Sequence, residues 1–202
     1  MKIALLTAWL SRASGGLAYS VPRLASELKA RTDSSVTILG SVDPKYPDDW
    51  RRWPDPTVAL RIVGPAWFAW APGTLQALER QAPDVVDAQG LWVYPSLANR
   101  AYTRRVGKPH VVTPRGMLDP WTLQRSRWKK RLAHAWFEAD HLQTASSFRV
   151  TAETEARHVR SYGLNNPIAV IPNGVDFPRR RYRQSLGRKT VLFFSRLHPK
   201  KG

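Results

Sequence analysis

The 202-residue sequence contains no cysteine, and this absence removes two kinds of structure. Neither a disulfide framework nor a thiolate metal site can form, and a reducing compartment is compatible with the chain. No metal site is expected from the histidines either, because their spacing matches none. Surface or core positions suit four of them better: His110, His134, His141 and His158.

Long apolar runs are also missing. No stretch approaches the roughly 18 apolar residues of a membrane span, and the opening run 3–7 is too short for a signal peptide. With 43% hydrophobic and 23% charged residues, the composition is ordinary for a globular protein. We therefore expect a folded, cytoplasmic protein with one main domain.

Acidic residues are scarce. The 15 Asp and Glu residues stand against 32 Lys and Arg residues, which gives a formal net charge of +17. Such a charge favours anionic partners, whether nucleic acid, a phosphorylated ligand or an acidic lipid surface. Charge alone does not choose among these three classes.

Strand and helix patterns alternate along the chain. The run 3–6 has no polar alternation, as is typical of a parallel strand that is covered on both faces. Seven strands are predicted, and with helices between them they indicate an α/β fold with a Rossmann-like parallel sheet and helices on both faces. These strands are expected at 2–7, 36–39, 57–63, 84–88, 110–113, 148–151 and 168–171.

The predicted helices have recognisable ends. Pro22 limits where the first helix starts, because proline is tolerated only in a first turn. Another helix opens near Pro95 and stops at Gly107, and Gly163 suits the position just after the last helix. A long helix at 125–143 carries an apolar face made of Trp128, Leu132, Ala135 and Trp136.

Residues 178–202 differ from what precedes them, since they contain nine Lys or Arg residues and no acid. One apolar strand, 191–194, lies among them, and a lone strand has no sheet to join. We therefore predict one domain at 1–177, followed by a basic linker and the first strand of a second, truncated domain at 178–202.

Glycine-containing turns follow several predicted strands. The turn 14–16 lies between the first strand and the first helix, where glycine lets a ligand approach the backbone and helix N–H groups favour anions. It lacks the G-x-G-x-x-G spacing of a dinucleotide site, and a tight turn that binds nothing is its alternative. Since ligands of open parallel sheets bind beyond the carboxyl ends of strands, we expect this turn and those at 89–92, 113–118 and 172–176 to line one crevice.

The order and spacing of these turns resemble glycosyltransferase family 4, whose retaining enzymes have two Rossmann-like domains facing each other across a cleft, the GT-B fold. The resemblance covers the chain but only the N-terminal, acceptor-side half of that architecture. The motifs that carry it are the glycine pair 15–16, the run 114–118 with Pro120 and Trp121, 151–153 with Glu155, 171–176, and Arg196 with Lys201 and Gly202.

The resemblance implies transfer of a sugar from a nucleoside-diphosphate sugar, as co-substrate and without a cofactor or metal, to a glycan or lipid-linked acceptor. It places Arg196 and Lys201 on the donor diphosphate, and it assigns no catalytic residue. The residues that it places in the acceptor crevice are Gly15, Gly16, Gln89, Arg115 and Asn173.

Two departures from the family pattern concern chemistry. Related sequences often have histidine where this chain has Gln89, and an amide cannot accept a proton as a base. The pair of glutamates that in the family holds the donor sugar and ribose has no counterpart in these 202 residues, as expected for a chain that covers only the N-terminal half of the architecture. Arg115 has an open alternative, which is pairing with Asp119 or Asp87.

Three further interpretations follow from the charge and the length. A cluster of basic residues with Trp121 and Trp128 nearby predicts a patch that binds an anionic membrane at its inner face, and a solvated helix face is its alternative. A specific nucleic-acid-binding module fits less well, because the basic residues are dispersed and no such motif is present. An inactive, truncated remnant of a transferase is the third interpretation.

The basic cluster of the first interpretation, the patch that would bind an anionic membrane, consists of Arg125, Arg127, Lys129, Lys130 and Arg131.

Overall fold

The structure, a computed structural model, describes residues 1–175 and Val191. Within them seven strands form one sheet in the order β3-β2-β1-β4-β5-β6-β7, and every neighbouring pair is parallel. The predicted number of strands and the α/β class are therefore confirmed. The strands are β1 (Lys2–Trp9), β2 (Ser35–Ser41), β3 (Thr57–Leu60), β4 (Val85–Gln89), β5 (His110–Thr113), β6 (Ser147–Val150) and β7 (Ile168–Val170).

Helices connect most consecutive strands. Three helical segments lie between β5 and β6, and a turn of π-helix, His134–Glu138, joins the last two of them. The helices are α1 (Leu17–Arg31), α2 (Gly73–Gln81), α3 (Tyr94–Val106), α4 (Pro120–Gln124), α5 (Arg127–Ala133), α6 (Ala139–Gln143) and α7 (Glu153–Ser161).

The central strand β1 is covered on both faces. Ala4 and Leu6 pack in one buried cluster with residues of α2 and α3, whereas Ile3 and Leu5 pack in another with residues of α1. Successive side chains of a strand point to opposite faces, so this division follows from the pleat. The expected arrangement of helices on both faces is confirmed.

Pro22 lies inside α1, and the prediction that it limits the start of this helix was wrong. The helix begins at Leu17, which makes Pro22 its sixth residue. Proline removes one backbone donor there, but Val21 and Ala25 are fully buried against the sheet on either side of it. Burial of this apolar face outweighs the local cost of the proline.

The long helix expected at 125–143 is interrupted. Arg125 is extended and Ser126 has φ +52°, so α5 begins only at Arg127. The π turn after α5 then changes which face is buried, because it contains one more residue per turn than an α-helix. Phe137 and Glu138 are buried, whereas Trp136 remains exposed.

Other predicted helix ends are confirmed by backbone geometry. Gly107 ends α3 with φ +67°, and Gly163 follows the last residue of α7 with φ +91°. The predicted domain boundary at 177, together with Arg196 and Lys201, lies outside the described residues. The division into 1–177 and 178–202 stays a prediction.

Candidate functional site

The carboxyl ends of the strands meet at one edge of the sheet, because all the strands are parallel. At this edge Thr7 of β1 pairs with Gln89 of β4, and Gln89 pairs with Thr113 of β5. The turns singled out from the sequence follow β1, β4, β5 and β7 at this edge. Their location on one edge agrees with the predicted crevice.

Three of the five predicted acceptor residues are joined directly. Arg115 donates two hydrogen bonds to Gln89 Oε1, from Nε at 2.9 Å and from Nη2 at 2.7 Å. Its remaining terminal nitrogen, Nη1, donates to Asn173 Oδ1 at 2.9 Å. The loops after β4, β5 and β7 are therefore connected through one guanidinium group. Their role in binding an acceptor stays a prediction.

A second arginine, which the sequence analysis missed, reaches the same amide. Arg149 Nη2 donates to Gln89 Oε1 at 3.3 Å, and its Nε donates to Thr113 Oγ1 at 3.2 Å. The same Nη2 lies 3.4 Å from Asp87 Oδ2, so the two residues form an ion pair. An arginine between the buried residues Phe148 and Val150 in a covered strand was the signal that could have found it.

Neither carboxylate considered for Arg115 turns out to be its hydrogen-bond partner. Asp119 caps α4, where its side chain accepts from the N–H groups of Trp121 and Thr122. Asp87 pairs with Arg149 and accepts from Thr113 Oγ1 at 2.7 Å. Arg115 therefore bonds to the amides of Gln89 and Asn173, while the charge of Asp87 still acts on it and favours its charged form.

Burial shifts the pKa values in this cluster. It raises the pKa of Asp87, against the opposing effects of Arg149 and the hydrogen bond from Thr113. Burial, and then the neighbouring charge of Arg149, lower the pKa of Arg115 to about 10, so this guanidinium remains charged at neutral pH. Arg115 and Arg149 thus converge on a neutral amide oxygen. Arg149 is paired with Asp87, whereas the hydrogen-bond partners of Arg115 are the neutral amides of Gln89 and Asn173, so the charge of Arg115 remains available to an anionic group or to hydroxyls of a ligand.

The loop that carries Arg115 is held in a strained conformation by a buried glutamate. Arg115 has φ +56°, which is uncommon for a residue with a side chain. Glu155 Oε1 accepts from the N–H of Gly116 at 2.6 Å, and Oε2 accepts from the N–H of Thr151 at 2.7 Å. Glu155 therefore ties the loop after β5 to the start of α7.

The two glycines after β1 have different backbone conformations. Gly15 has φ +60° and ψ −124°, a conformation that a side chain would strain. Gly16 has φ −60°, and a Cβ placed there would meet no atom within 4 Å. The fold therefore requires glycine at position 15, whereas at position 16 the absent side chain leaves open space at this edge.

The Gly15 loop is anchored on its other side. Arg12 forms a bidentate pair with Asp49, with Nε at 2.8 Å from Oδ2 and Nη2 at 2.6 Å from Oδ1. The hydrogen bonds from Arg12 hold the pKa of Asp49 well below its usual range. Ser14 Oγ also donates to the carbonyl of Trp9 at 2.7 Å.

No group of three His, Asp or Glu side chains within residues 1–175 could hold a metal ion. In the same part of the chain, every helix is too short or too polar to cross a membrane.

Comparison with known proteins agrees with this fold. The chain superposes on HepE from Anabaena, solved in complex with UDP and glucose, with a TM-score of 0.64 and 16% identity over 87% of this chain and 45% of HepE. It superposes on sucrose-phosphate synthase from Thermosynechococcus elongatus with a TM-score of 0.61 and 16% identity over 87% of this chain and 49% of the synthase. The lipopolysaccharide outer core galactosyltransferase WaaB gives 0.61 and 14%, over 89% and 47% respectively.

At these identities the likeness shows the fold alone, and the chain spans about half the length of each of these proteins. No curated protein matches it in sequence. The family described as "Glycosyl transferase 4-like domain" matches residues 15–174, which is most of the chain. The chain therefore belongs to the glycosyl transferase 4-like family and has the Rossmann-like fold of the N-terminal half of a GT-B glycosyltransferase.

Proposed function

We propose that this chain is the acceptor-binding half of a retaining glycosyltransferase, which transfers a sugar from a nucleoside-diphosphate sugar to a glycan or lipid-linked acceptor. The observation that carries the proposal is the convergence of Arg115 and Arg149 on Gln89 at the carboxyl edge of the sheet. Guanidinium groups bind phosphate and sugar hydroxyls in fixed directions. Gly15, Gly16 and Asn173 complete the acceptor crevice in this proposal.

The donor belongs to a second domain in this proposal. HepE has been solved with UDP-glucose, and WaaB is a galactosyltransferase, which supports a nucleotide sugar as donor. Arg196 and Lys201, which lie outside the described residues, would bind the donor diphosphate. The bond between the anomeric carbon and the phosphate oxygen breaks, the acceptor oxygen bonds to that carbon, and the proton of the acceptor hydroxyl passes to the oxygen of the departing diphosphate. Positively charged side chains beside the negatively charged, departing diphosphate stabilise this step most.

We also place the enzyme at the inner face of an anionic membrane. Lys130 of α5 is partly buried and donates to the carbonyl of Thr122, whereas Arg127, Lys129 and Arg131 are exposed, so in this proposal these three face the lipid phosphates. A flotation assay with phosphatidylglycerol vesicles tests this placement, since binding should fall steeply as salt rises. Equal recovery with neutral phosphatidylcholine vesicles would contradict it.

The central test is sugar transfer by the complete gene product, including the donor-binding domain, to a panel of glycan and lipid-linked acceptors. Arg115→Ala should lower kcat/KM for the acceptor by about a hundredfold, because a charged contact is worth roughly 1.5–3 kcal/mol or more in a desolvated site. Arg80→Ala is the matched control, since Arg80 is exposed on α2 and away from the site.

Two results would separate the alternatives. Turnover that is unchanged by Arg196→Ala and Lys201→Ala would remove the donor assignment. An inactive complete gene product would favour the remnant interpretation, and sequence-selective binding of a nucleic acid at physiological salt would favour the nucleic-acid module.

A further inference from the structure

A large apolar groove lies beside the polar site. Its volume is about 1040 Å³, and one of its walls is the face of α5 and of the π turn that follows. On this wall Trp128 is 64% exposed, Leu132 is 63% exposed and Trp136 is 66% exposed. Exposed apolar side chains at positions i, i+4 and i+8 form a continuous stripe, and such a patch marks a binding surface.

The opposite wall comes from the segment between β3 and α2. Trp67 and Trp70 lie there and are both largely exposed. Phe68 lies between the walls, with its ring 6.1 Å from those of Tyr94 and Phe137. We call this site the tryptophan groove, lined by Trp67, Trp70, Trp92, Trp128, Leu132 and Trp136.

The mouth of the tryptophan groove is positively charged. Lys129 Nζ lies 4.6 Å from the ring centre of Trp67 and 5.5 Å from that of Trp128, and Lys130 also lines the groove. The stretch 120–137 contains five basic residues and no acidic one. An apolar groove with a cationic mouth is complementary to a hydrocarbon chain attached to an anionic group.

One residue connects the groove with the polar site. Trp92 lines the groove and stands only three positions after Gln89, in the turn that follows β4. The backbone N–H of Trp92 donates to Glu138 Oε2 at 2.6 Å, so the turn is fixed to the groove wall. A single ligand can therefore place a polar head near Arg115 and an apolar chain in the groove.

We propose that the tryptophan groove binds the hydrocarbon chain of one lipid molecule with a phosphate-containing head, and that this lipid is the acceptor. The proposal rests on the proposed function and specifies its acceptor as an amphiphile. The chain packs between the tryptophan rings, and the lysines meet the phosphate at the mouth. The sugar head beyond the phosphate lies toward Gln89 and Arg115.

Decyl phosphate is a suitable probe, since it carries one chain and one phosphate and can be used below its micelle-forming concentration. We expect it to shift the tryptophan fluorescence of the 202-residue chain saturably and to bind at least tenfold more tightly than butyl phosphate. Leu132→Asp should remove this chain-length preference. Val106→Asp is the matched control, because Val106 is also exposed on a helix but lies at the far end of α3, and it should keep the preference.

Equal affinities for decyl and butyl phosphate, or equal effects of Leu132→Asp and Val106→Asp, would overturn the proposal. A response to phosphatidylglycerol vesicles without one to monomeric decyl phosphate would also overturn it, because the groove would then be a bilayer contact.

If the molecular mass measured under native conditions halves in Leu132→Asp, the occupant of the groove is a second copy of the chain, and the lipid proposal is overturned. Arg115→Ala separates the two proposals, since it should lower sugar transfer by the complete enzyme and leave the preference of the 202-residue chain for decyl over butyl phosphate unchanged.

Discussion

The guanidinium of Arg115 and the side-chain oxygen of Gln89 share two hydrogen bonds, at 2.9 and 2.7 Å, across the ends of neighbouring strands. The same oxygen also accepts from Arg149. An amide oxygen orients both arginines without neutralising either. A carboxylate at this position would orient them equally well and cancel much of their charge.

Gln89→Glu is therefore expected to weaken the binding of inorganic phosphate by about tenfold, which corresponds to roughly 1.4 kcal/mol. The new carboxylate would compete with the anion for Arg115 and Arg149. Isothermal titration calorimetry measures the effect. Gln143→Glu adds the same charge at an exposed position after β5 and before β6, and equal losses in both variants would argue against a local site.

Glu155→Ala should lower the free energy of unfolding by about 2 kcal/mol or more, because it leaves the N–H groups of Gly116 and Thr151 without their acceptor. Glu153→Ala is its control, since Glu153 is exposed in the first turn of the same helix. Urea unfolding followed by circular dichroism compares them. Similar midpoints for the two variants would show that the buried carboxylate does not hold the loop.

The two adjacent glycines should respond differently to alanine. Gly15→Ala is expected to cost roughly 1–3 kcal/mol of unfolding free energy, because its backbone conformation strains any side chain. Gly16→Ala should change stability by less than about 1 kcal/mol, since its Cβ meets open space. In the complete enzyme, Gly16→Ala should nevertheless raise KM for the acceptor. An unchanged KM would remove Gly16 from the crevice.

His110 predicts a pH dependence of stability. Burial and the neighbouring His141 lower its pKa to about 4, so between pH 6.5 and 4 the unfolded chain binds a proton that the folded chain does not. The contribution of His110 to the free energy of unfolding is therefore fully present above pH 6.5. It falls as the pH decreases toward 4, by up to about 3 kcal/mol.

Urea unfolding at pH 7 and pH 4.5 measures this contribution. His110→Gln should show a smaller loss between the two pH values than the unmodified chain does. His158→Gln, which replaces a partly buried histidine near Asp119, should show the full loss. A His110→Gln variant with an undiminished loss would assign the effect to other groups.

Much of the fold follows from local sequence patterns. The apolar run of β1 predicts a central parallel strand, and the turns after the strands predict a shared edge, since parallel strands all end on one side. Gln89, Arg115 and Asn173 could be placed at that edge for this reason. Their mutual hydrogen bonds could not, because positions 115 and 173 meet only through the pairing of β5, β6 and β7.

The parts that the sequence did not predict depend on distant contacts. Pro22 is accommodated in α1 because its neighbours are buried against the sheet. Arg149 points to the polar site because its partners Thr113 and Asp87 lie on β5 and β4, the next two strands of the sheet. The tryptophan groove joins segments about sixty positions apart, and the helical period of Trp128, Leu132 and Trp136 shows only that they share a face.

The π turn gives Glu138 two partners at once. Its Oε1 accepts from His141 Nδ1 at 2.9 Å inside the core, and its Oε2 accepts from the backbone N–H of Trp92. One buried carboxylate thus fixes the backbone of the turn after β4 to a histidine of the core, so the groove wall and the polar edge of the sheet keep a constant relative position.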